Sequence, residues 1–327
     1  MRFVLRRAGF FLLTLWVAVT LNFFLPRMMP GNPAIAMMGK FRGKVGAQEL
    51  QTLETIFGAG SHQSLPSQYA HYLGDVFTGN FGTSLFYFPS PVSEVVRGAI
   101  FWTLGLVGVT TILAFVLGTG VGVIAAWRRG GVFDSVATPS LVIASAVPYF
   151  WVGMMFVLIF GLTLRWFPWS GGYSITNTPG FTGSFIVDVL QHAVLPGLAL
   201  LITTIGTWTL TMRNNMVTTL AEDYVRMARA KGLRSSRIMV DYAARNAMLP
   251  NLTGFAMSLG FVLAGQIVIE YVFNYPGIGY MLLQAVQNED YPLMQALFLL
   301  ITVAVLVAIL LADIATAILD PRTRSAE

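Results

Sequence analysis

The sequence predicts an all-α, polytopic membrane protein with six transmembrane helices and a small extracytoplasmic subdomain. Three observations predict it. The chain of 327 residues is 55% hydrophobic and only 11% charged, with mean hydropathy +0.68, whereas soluble domains carry about a quarter charged residues. The apolar residues gather in six long runs, each near the roughly 20 residues that carry a helix across a hydrocarbon core of about 30 Å. The basic residues lie scattered at the ends of those runs, which is the pattern of a topology signal and not of a nucleic-acid-binding face, although the net charge is +5.

Arg2, Arg6 and Arg7 precede a first apolar run from Ala8 to about Leu25. It is long for a signal peptide and no small-residue cleavage site follows, so it reads as an uncleaved span. Residues 1–29 thus form the tail and first helix. Residues 30–99 are polar and punctuated by Gly, Pro and Ser, too long for a simple connection. They carry aromatic clusters (Tyr69, Tyr72, Phe77, Phe81 and Phe86-Tyr87-Phe88) that suggest a small folded subdomain with a short helix near Gln48–Phe57. Residues 100–319 hold the other five spans: Ile100 to Ala126, Val136 to Leu164 with Pro148 inside, Val189 to Met212, Leu252 to Phe273, and Leu293 to Leu319. Backbone groups in lipid must be satisfied within the segment, so helices are expected. A short tail, 320–327, closes the chain.

Charge places the ends. Arg2, Arg6, Arg7, Arg128, Arg129, Arg213, Arg322 and Arg324 fall on one side with a basic island, and the loop Asn274 to Pro292 on the other has no Lys or Arg. Both termini are therefore expected in the cytoplasm. Small residues recur at Gly118 and Gly122, and at Ala256, Gly260 and Ala264. Such rows let helices approach closely, which reads first as packing within the chain and second as a dimer face. Thr203, Thr207 and Thr211 form one helical stripe, with Trp208 beside it. The stripe fits a water-lined translocation pathway equally well as hydroxyls bonded to their own backbone. Glu270 stands near the outer end of an apolar run, where an acid is costly unless paired or wet. It reads either as part of a vestibule or gate, or as an interfacial acid paired with a loop.

The island spans Thr219 to Pro250, inside a polar loop at 217–250. Thr219 and Glu222 have the spacing of a capping box, and Glu222 with Asp223 lies where the helix dipole favours acids. Leu220, Tyr224, Met227 and Lys231 share one helical face, flanked by Arg226 and Arg229. Gly232 reads as the helix stop, with Leu233 in the place that favours an apolar contact. A second short helix from Arg237 to about Ala247, capped by Ser235 or Ser236, and a new helix beginning at Pro250 complete the reading. From composition alone the element is either an amphipathic helix on the lipid surface or a docking knob for a partner.

Enzyme chemistry finds no constellation. The chain has three histidines (His62, His71, His192), no cysteine, no HExxH and no GxSxG, so neither a catalytic site nor a metal site is expected. Neither Gly39-Lys40 nor Gly43-Lys44 is followed by Ser or Thr, so there is no P-loop. A secondary transporter or channel would be expected to keep acids deep in its spans, and none lies mid-span here.

DYVRMARAKGL at 223–233, followed by YAARNAMLPN, resembles the coupling-loop signature of permease subunits of ATP-binding-cassette importers, most closely the dipeptide and oligopeptide group of the B-subunit type. PGNP at Pro30 to Pro33, GNFGTS at Gly79 to Ser84, PSPV at Pro89 to Val92, VIEYVFNYPGIG at Val268 to Gly279, DYPLMQ at Asp290 to Gln295 and LDPRTR at Leu319 to Arg324 extend the resemblance over nearly the whole chain. Where the broader importer motif opens with Glu-Ala-Ala, this chain has Arg226, Met227 and Ala228. The resemblance implies a type I importer permease fold in a bacterial or archaeal plasma membrane. It implies a second homologous permease, two cytoplasmic ATPases that bind ATP and Mg, and an extracytoplasmic binding protein as partners, with no cofactor in this chain. It places the ATPase contact at Glu222, Asp223, Tyr224, Arg226, Met227, Ala228, Arg229, Ala230, Lys231, Gly232 and Leu233, where small Ala228 and Ala230 would allow close approach. Peptides are the expected cargo; oligosaccharides or nickel chelates are the alternatives. Phe86, Tyr87, Phe88, Trp166, Trp169 and Tyr173 read as an aromatic belt, or as stacking surface for sugars.

Overall fold

The structure, a computed structural model, describes residues 2–28, 64–264 and 266–319. The expected short helix near Gln48–Phe57, the PGNP motif and most of LDPRTR lie outside the described residues. The described chain is mostly helical: α1 (Arg2–Met28), α2 (Leu65–Thr78), α3 (Val92–Trp127), α4 (Val132–Ala146), α5 (Tyr149–Thr163), α6 (Gly183–Thr219), α7 (Asp223–Ala230), α8 (Arg245–Phe261), α9 (Ile267–Val272), α10 (Ile278–Gln287) and α11 (Tyr291–Leu319). Among the described residues, α3, α6 and Tyr291–Leu311 of α11 are long and apolar enough to cross a membrane, and α4 with α5 makes a fourth if the bent pair counts as one span. Gly9–Leu25 of α1 is a shorter apolar stretch.

The chain divides into two compact units, Met1–Trp102 with Pro276–Leu306, and Thr103–Tyr275 with Val307–Glu327. In the first, the aromatic residues of α2 pack on α1 and the start of α11. Val19, Phe23, Tyr72 and Leu299 form a buried cluster, with Tyr69, Phe81 and Val303 against it, while Phe77 faces outward. Polar contacts fix the register. Asn22 donates to the Tyr72 hydroxyl at 3.1 Å and to the Gln295 carbonyl at 2.9 Å, and Thr20 and Tyr69 share a hydrogen bond of 2.7 Å.

Gly79 ends α2 in the left-handed region (φ 70°). The chain then turns through the GNFGTS and PSPV motifs, with Ser84 N–H donating to the Ser90 carbonyl and Val92 N–H to that of Gly82. This turn is clamped by Asp290, the first residue of DYPLMQ. Its buried carboxylate accepts from the Ser84 hydroxyl, from Phe86 N–H at 2.9 Å and from Leu293 N–H at 3.2 Å. One side chain thus caps α11 and holds the turn. Beside it the Tyr87 hydroxyl contacts the Met281 sulfur at 2.9 Å. Burial, then the neighbouring Tyr280 and Asp290, push its pKa up to about 12.

The second unit is built on α6, at 37 residues about 55 Å long with a rise of 1.5 Å per residue. Gly118 and Gly122 let α3 pack closely along it. A Cβ at Gly118 would stand 2.7 Å from the Ile205 carbonyl oxygen, and one at Gly122 2.6 Å from that of Thr209. Gly260 of α8 meets Ala308 of α11 in the same way. These contacts are the packing within the chain that the small-residue rows suggested.

Four expectations change. The run Val136 to Leu164 is two helices bent by 90°. Proline disfavours the helical region for the residue before it, and Val147 is extended at φ −81°, ψ 129°. The expected short helix from Arg237 does not end near Ala247: Ser235–Arg237 runs through a π-helical segment, Ile238–Ala244, into α8. Pro250 therefore sits inside a helix and does not begin one. Burial carries the helix past it, because Ala243, Ala244 and Ala247 pack on Met212, Met216 and Ala126, and buried Asn251 donates to the Thr119 hydroxyl at 2.9 Å. The apolar run beyond is broken too, into a 3-10 turn at Val262–Ala264 and then α9.

Candidate functional site: a surface helix and a polar cleft

Helix α7 carries the basic signature. Its buried face is small: Val225 and Ala228 pack with Ile238, backed by Trp127, Leu220, Leu233 and Tyr242. The larger side chains face outward, Tyr224 at 39% exposure and Met227 at 59%, with Asp223, Arg226, Arg229, Ala230 and Lys231 also exposed. Ala228, expected to admit a partner closely, is instead turned inward, because a residue without bulk fits the contact with the following helix. Ala230 remains on the open side.

The helix ends as the sequence indicated. Gly232 takes φ +71° with open space around the missing Cβ. Its N–H donates to the Arg229 carbonyl at 2.9 Å and Leu233 N–H to that of Ala228 at 3.3 Å, while Leu233 packs back on the cluster. This glycine stop satisfies the last carbonyls of the helix. The start differs. Thr219 is the last residue of α6 and spends its hydroxyl on the Asn215 carbonyl. The cap of α7 is Glu222, whose backbone carbonyl accepts from Val225 and Arg226 N–H and whose side chain makes no capping bond. The Arg229 guanidinium stands 5.9 Å from the Trp127 ring centre, and the exposed Asp223–Arg226 pair at 3.5 Å adds little in water.

The expected pathway residues separate. Thr203 is buried and its hydroxyl bonds the Ala199 carbonyl at 2.9 Å. Thr211 is exposed and bonds that of Thr207 at 2.9 Å. Both use the self-bonded alternative. Glu270 is fully buried and accepts from the Thr103 hydroxyl at 2.8 Å. Thr207 and Trp208 line a cleft of about 290 Å³ between α3, α6 and the end of α8. Thr111, Thr204, Ser258 and Gln266 supply its other polar groups, and Val107, Phe261 and Val262 its apolar wall. Trp208 is held edge-on to Phe115 at 5.3 Å, and Phe115 stacks on Phe255 at 4.1 Å.

Sequence reasoning passed over two buried acids. Asp134, in the first turn of α4, takes a two-pronged contact from Arg213 of α6 at 2.5 and 2.8 Å, with further bonds from Gly130 N–H and Thr138. Asp188 receives the Ser174 N–H and hydroxyl at 2.7 and 2.8 Å, and His192 lies beside it. A lone acid beside an apolar run was the available signal for both. Among the described residues no cluster of three or more His, Asp or Glu could hold a metal ion. Of the aromatic residues read as a belt, Phe86 to Phe88 belong to the first unit and Trp166, Trp169 and Tyr173 to the second.

Residues 118–325 match the family described as binding-protein-dependent transport system inner membrane component, and residues 1–92 match its N-terminal counterpart. Over 320 residues the chain is 33% identical to the oligopeptide transport system permease protein AppB of Bacillus subtilis, covering 98% of each chain. It is 35% identical over 338 residues to the di/tripeptide transport system permease protein DppB of Pseudomonas aeruginosa, covering 98% of each. The dipeptide transport system permease protein DppB of Escherichia coli K12 is 33% identical over 341 residues, with 99% of each covered.

Proposed function

Since the chain belongs to the family of binding-protein-dependent transport system inner membrane components, we propose that it is the permease subunit of an ATP-driven importer and forms half of a pathway for peptides. It crosses the plasma membrane six times in the type I arrangement, with both termini in the cytoplasm. A second permease completes the pathway. Two ATPases bind and hydrolyse ATP with Mg on the cytoplasmic side, and an extracytoplasmic binding protein delivers the cargo.

One observation carries the mechanical part: α7 is locked on one face and open on the other. Val225 and Ala228 fix it to Ile238 and Trp127, while Tyr224, Met227, Arg226 and Lys231 stand outward. A lever must be rigid where it meets its load and accessible where it is pushed. Leu220 and Trp127 pack against both this cluster and the one holding Met212, Met216 and Ala243. A push on α7 is therefore delivered to the packed ends of α3, α6 and α8. The outward residues Glu222, Asp223, Tyr224, Arg226, Met227, Arg229, Ala230, Lys231 and Gly232 are the contact, with Leu233 holding the helix end beneath it.

The test is reconstitution of the whole transporter in lipid vesicles with its ATPases and binding protein. ATP-dependent accumulation of a short peptide is the expected result. Accumulation of a cello-oligosaccharide with no peptide uptake overturns the cargo, and no ATP-dependent uptake of any cargo overturns the importer.

A further inference from the structure

The cleft of the second unit presents an unusual set of polar groups. The Thr111 hydroxyl donates to the Val107 carbonyl at 2.7 Å, Thr204 to that of Leu200 at 2.7 Å, and Ser258 to that of Phe255 at 2.8 Å. A hydroxyl has one proton and two lone pairs. With the proton committed to its own helix, each of these oxygens offers the cleft only acceptor capacity. None of the residues lining the cleft is charged. Gln266 supplies an amide and Trp208 an indole face, and both stand at the wall beside Phe261 and Val262. The volume of about 290 Å³ is at the lower end of ligand-sized pockets, which run from roughly 300 Å³ upward.

We propose that this cleft is a cargo subsite on the pathway that reads uncharged hydrogen-bond donors through Thr111, Thr204 and Ser258, with Trp208 as the surface against which the cargo lies. The proposal rests on the permease reading. The three acceptor oxygens favour groups that bring N–H or O–H, the Gln266 amide and the Trp208 indole N–H can donate to a carbonyl, and no cation lines the wall to pair a carboxylate. A peptide backbone amide and a sugar hydroxyl share that chemistry. Contact of this kind is weak at each point, which suits a site that must release its cargo.

The chain contains no cysteine, so Thr207→Cys places a single thiol in the subunit at the cleft, and Thr218→Cys on exposed α6 surface serves as the control. The reconstituted transporter is treated with a water-soluble thiol reagent, nucleotide-free and arrested with a non-hydrolysable ATP analogue. The probes are tetra-alanine and cellotetraose. The expected result is that one cargo slows labelling at position 207 about tenfold when present at ten times its half-saturating concentration, and leaves position 218 unchanged. Adding Thr204→Val should raise the half-protecting concentration about fivefold, the usual effect of one lost hydrogen bond. Protection by tetra-alanine identifies amide donors as the ligand, and protection by cellotetraose identifies sugar hydroxyls and overturns the peptide cargo. Uptake without protection, or a thiol at 207 that never reacts because protein fills the cleft, overturns the subsite alone. No uptake of either probe overturns the permease reading for those cargoes and takes the subsite with it.

Discussion

Asp134 and Arg213 lie 79 residues apart in the chain and meet in a nearly buried, two-pronged contact. Removing one partner of such a pair leaves a charge stranded, which costs about 3 kcal/mol at the lower end of the usual range. Asp134→Ala should therefore lower the thermal stability of the purified protein markedly. Replacing both residues by apolar ones of similar size should recover most of it, because the desolvation of two charges is then no longer needed. A double variant as unstable as the single one would show that the pair does more than satisfy itself. Tyr87 adds a test of pH. Its folded pKa is raised above the ordinary value of 10.0 to about 12, so the folded form holds the proton more tightly, and stability should fall as pH rises from about 10 to about 12. That alkaline loss should be shallower in Tyr87→Phe, followed by thermal melting across the interval.

Helix packing makes its own prediction. Gly122→Leu on α3 drives a side chain into the Thr209 carbonyl and Met212 of α6, whereas Gly120, two residues earlier, has nothing within 4 Å of a new Cβ. Overpacking of that kind costs about 1–3 kcal/mol or more. The folded yield of Gly122→Leu in detergent should collapse while Gly120→Leu stays near wild type; equal behaviour would deny that this face of α3 sets the contact. At this scale the sequence was readable wherever one residue type has one local solution. Gly232 is such a case, because only a left-handed position ends α7 with its carbonyls satisfied. The glycine rows are another. It was unreadable where several local solutions compete. Thr219 has the spacing of a cap, yet its hydroxyl finds the carbonyl of Asn215 in the helix it already belongs to. Pro148 and Pro250 were both visible. One bends the chain by 90° and the other is absorbed within α8, and only the burial of Asn251 and its alanine neighbours decides between them. In α7 the face shared by Tyr224 and Met227 was legible from spacing, but that Val225 and Ala228 would be the packed side was not, because it depends on the approach of Ile238 and Trp127. The Asp134–Arg213 contact was invisible because nothing in local spacing joins residues on different helices.

On the scale of the whole molecule, the coupling role proposed for α7 requires that a displacement there reach the spans without being absorbed. Gly232 is the test of that stiffness. It stands at φ +71° with free space around it, so a β-branched residue there is opposed by backbone strain and not by a clash. Gly232→Val should abolish ATP-driven uptake while the subunit still inserts and assembles with its partners. Gly232→Asn should retain much of it, because asparagine enters the left-handed region at lower cost. Uptake by the valine variant at the wild-type rate would separate α7 from the drive.

The clamp at Asp290 has a consequence in time. Its carboxylate joins Ser84, which precedes it by 206 residues, and the amide of Phe86. A ribosome delivers the chain from its amino end, so the turn at Ser84–Phe86 is made long before the residue that closes it. Through most of synthesis that turn waits without its acceptor, and the newborn protein is recognisable as unfinished until α11 begins to emerge. A chain cut short before Asp290 would carry this mark permanently, in a form that a membrane protease could use to tell a truncated subunit from a complete one.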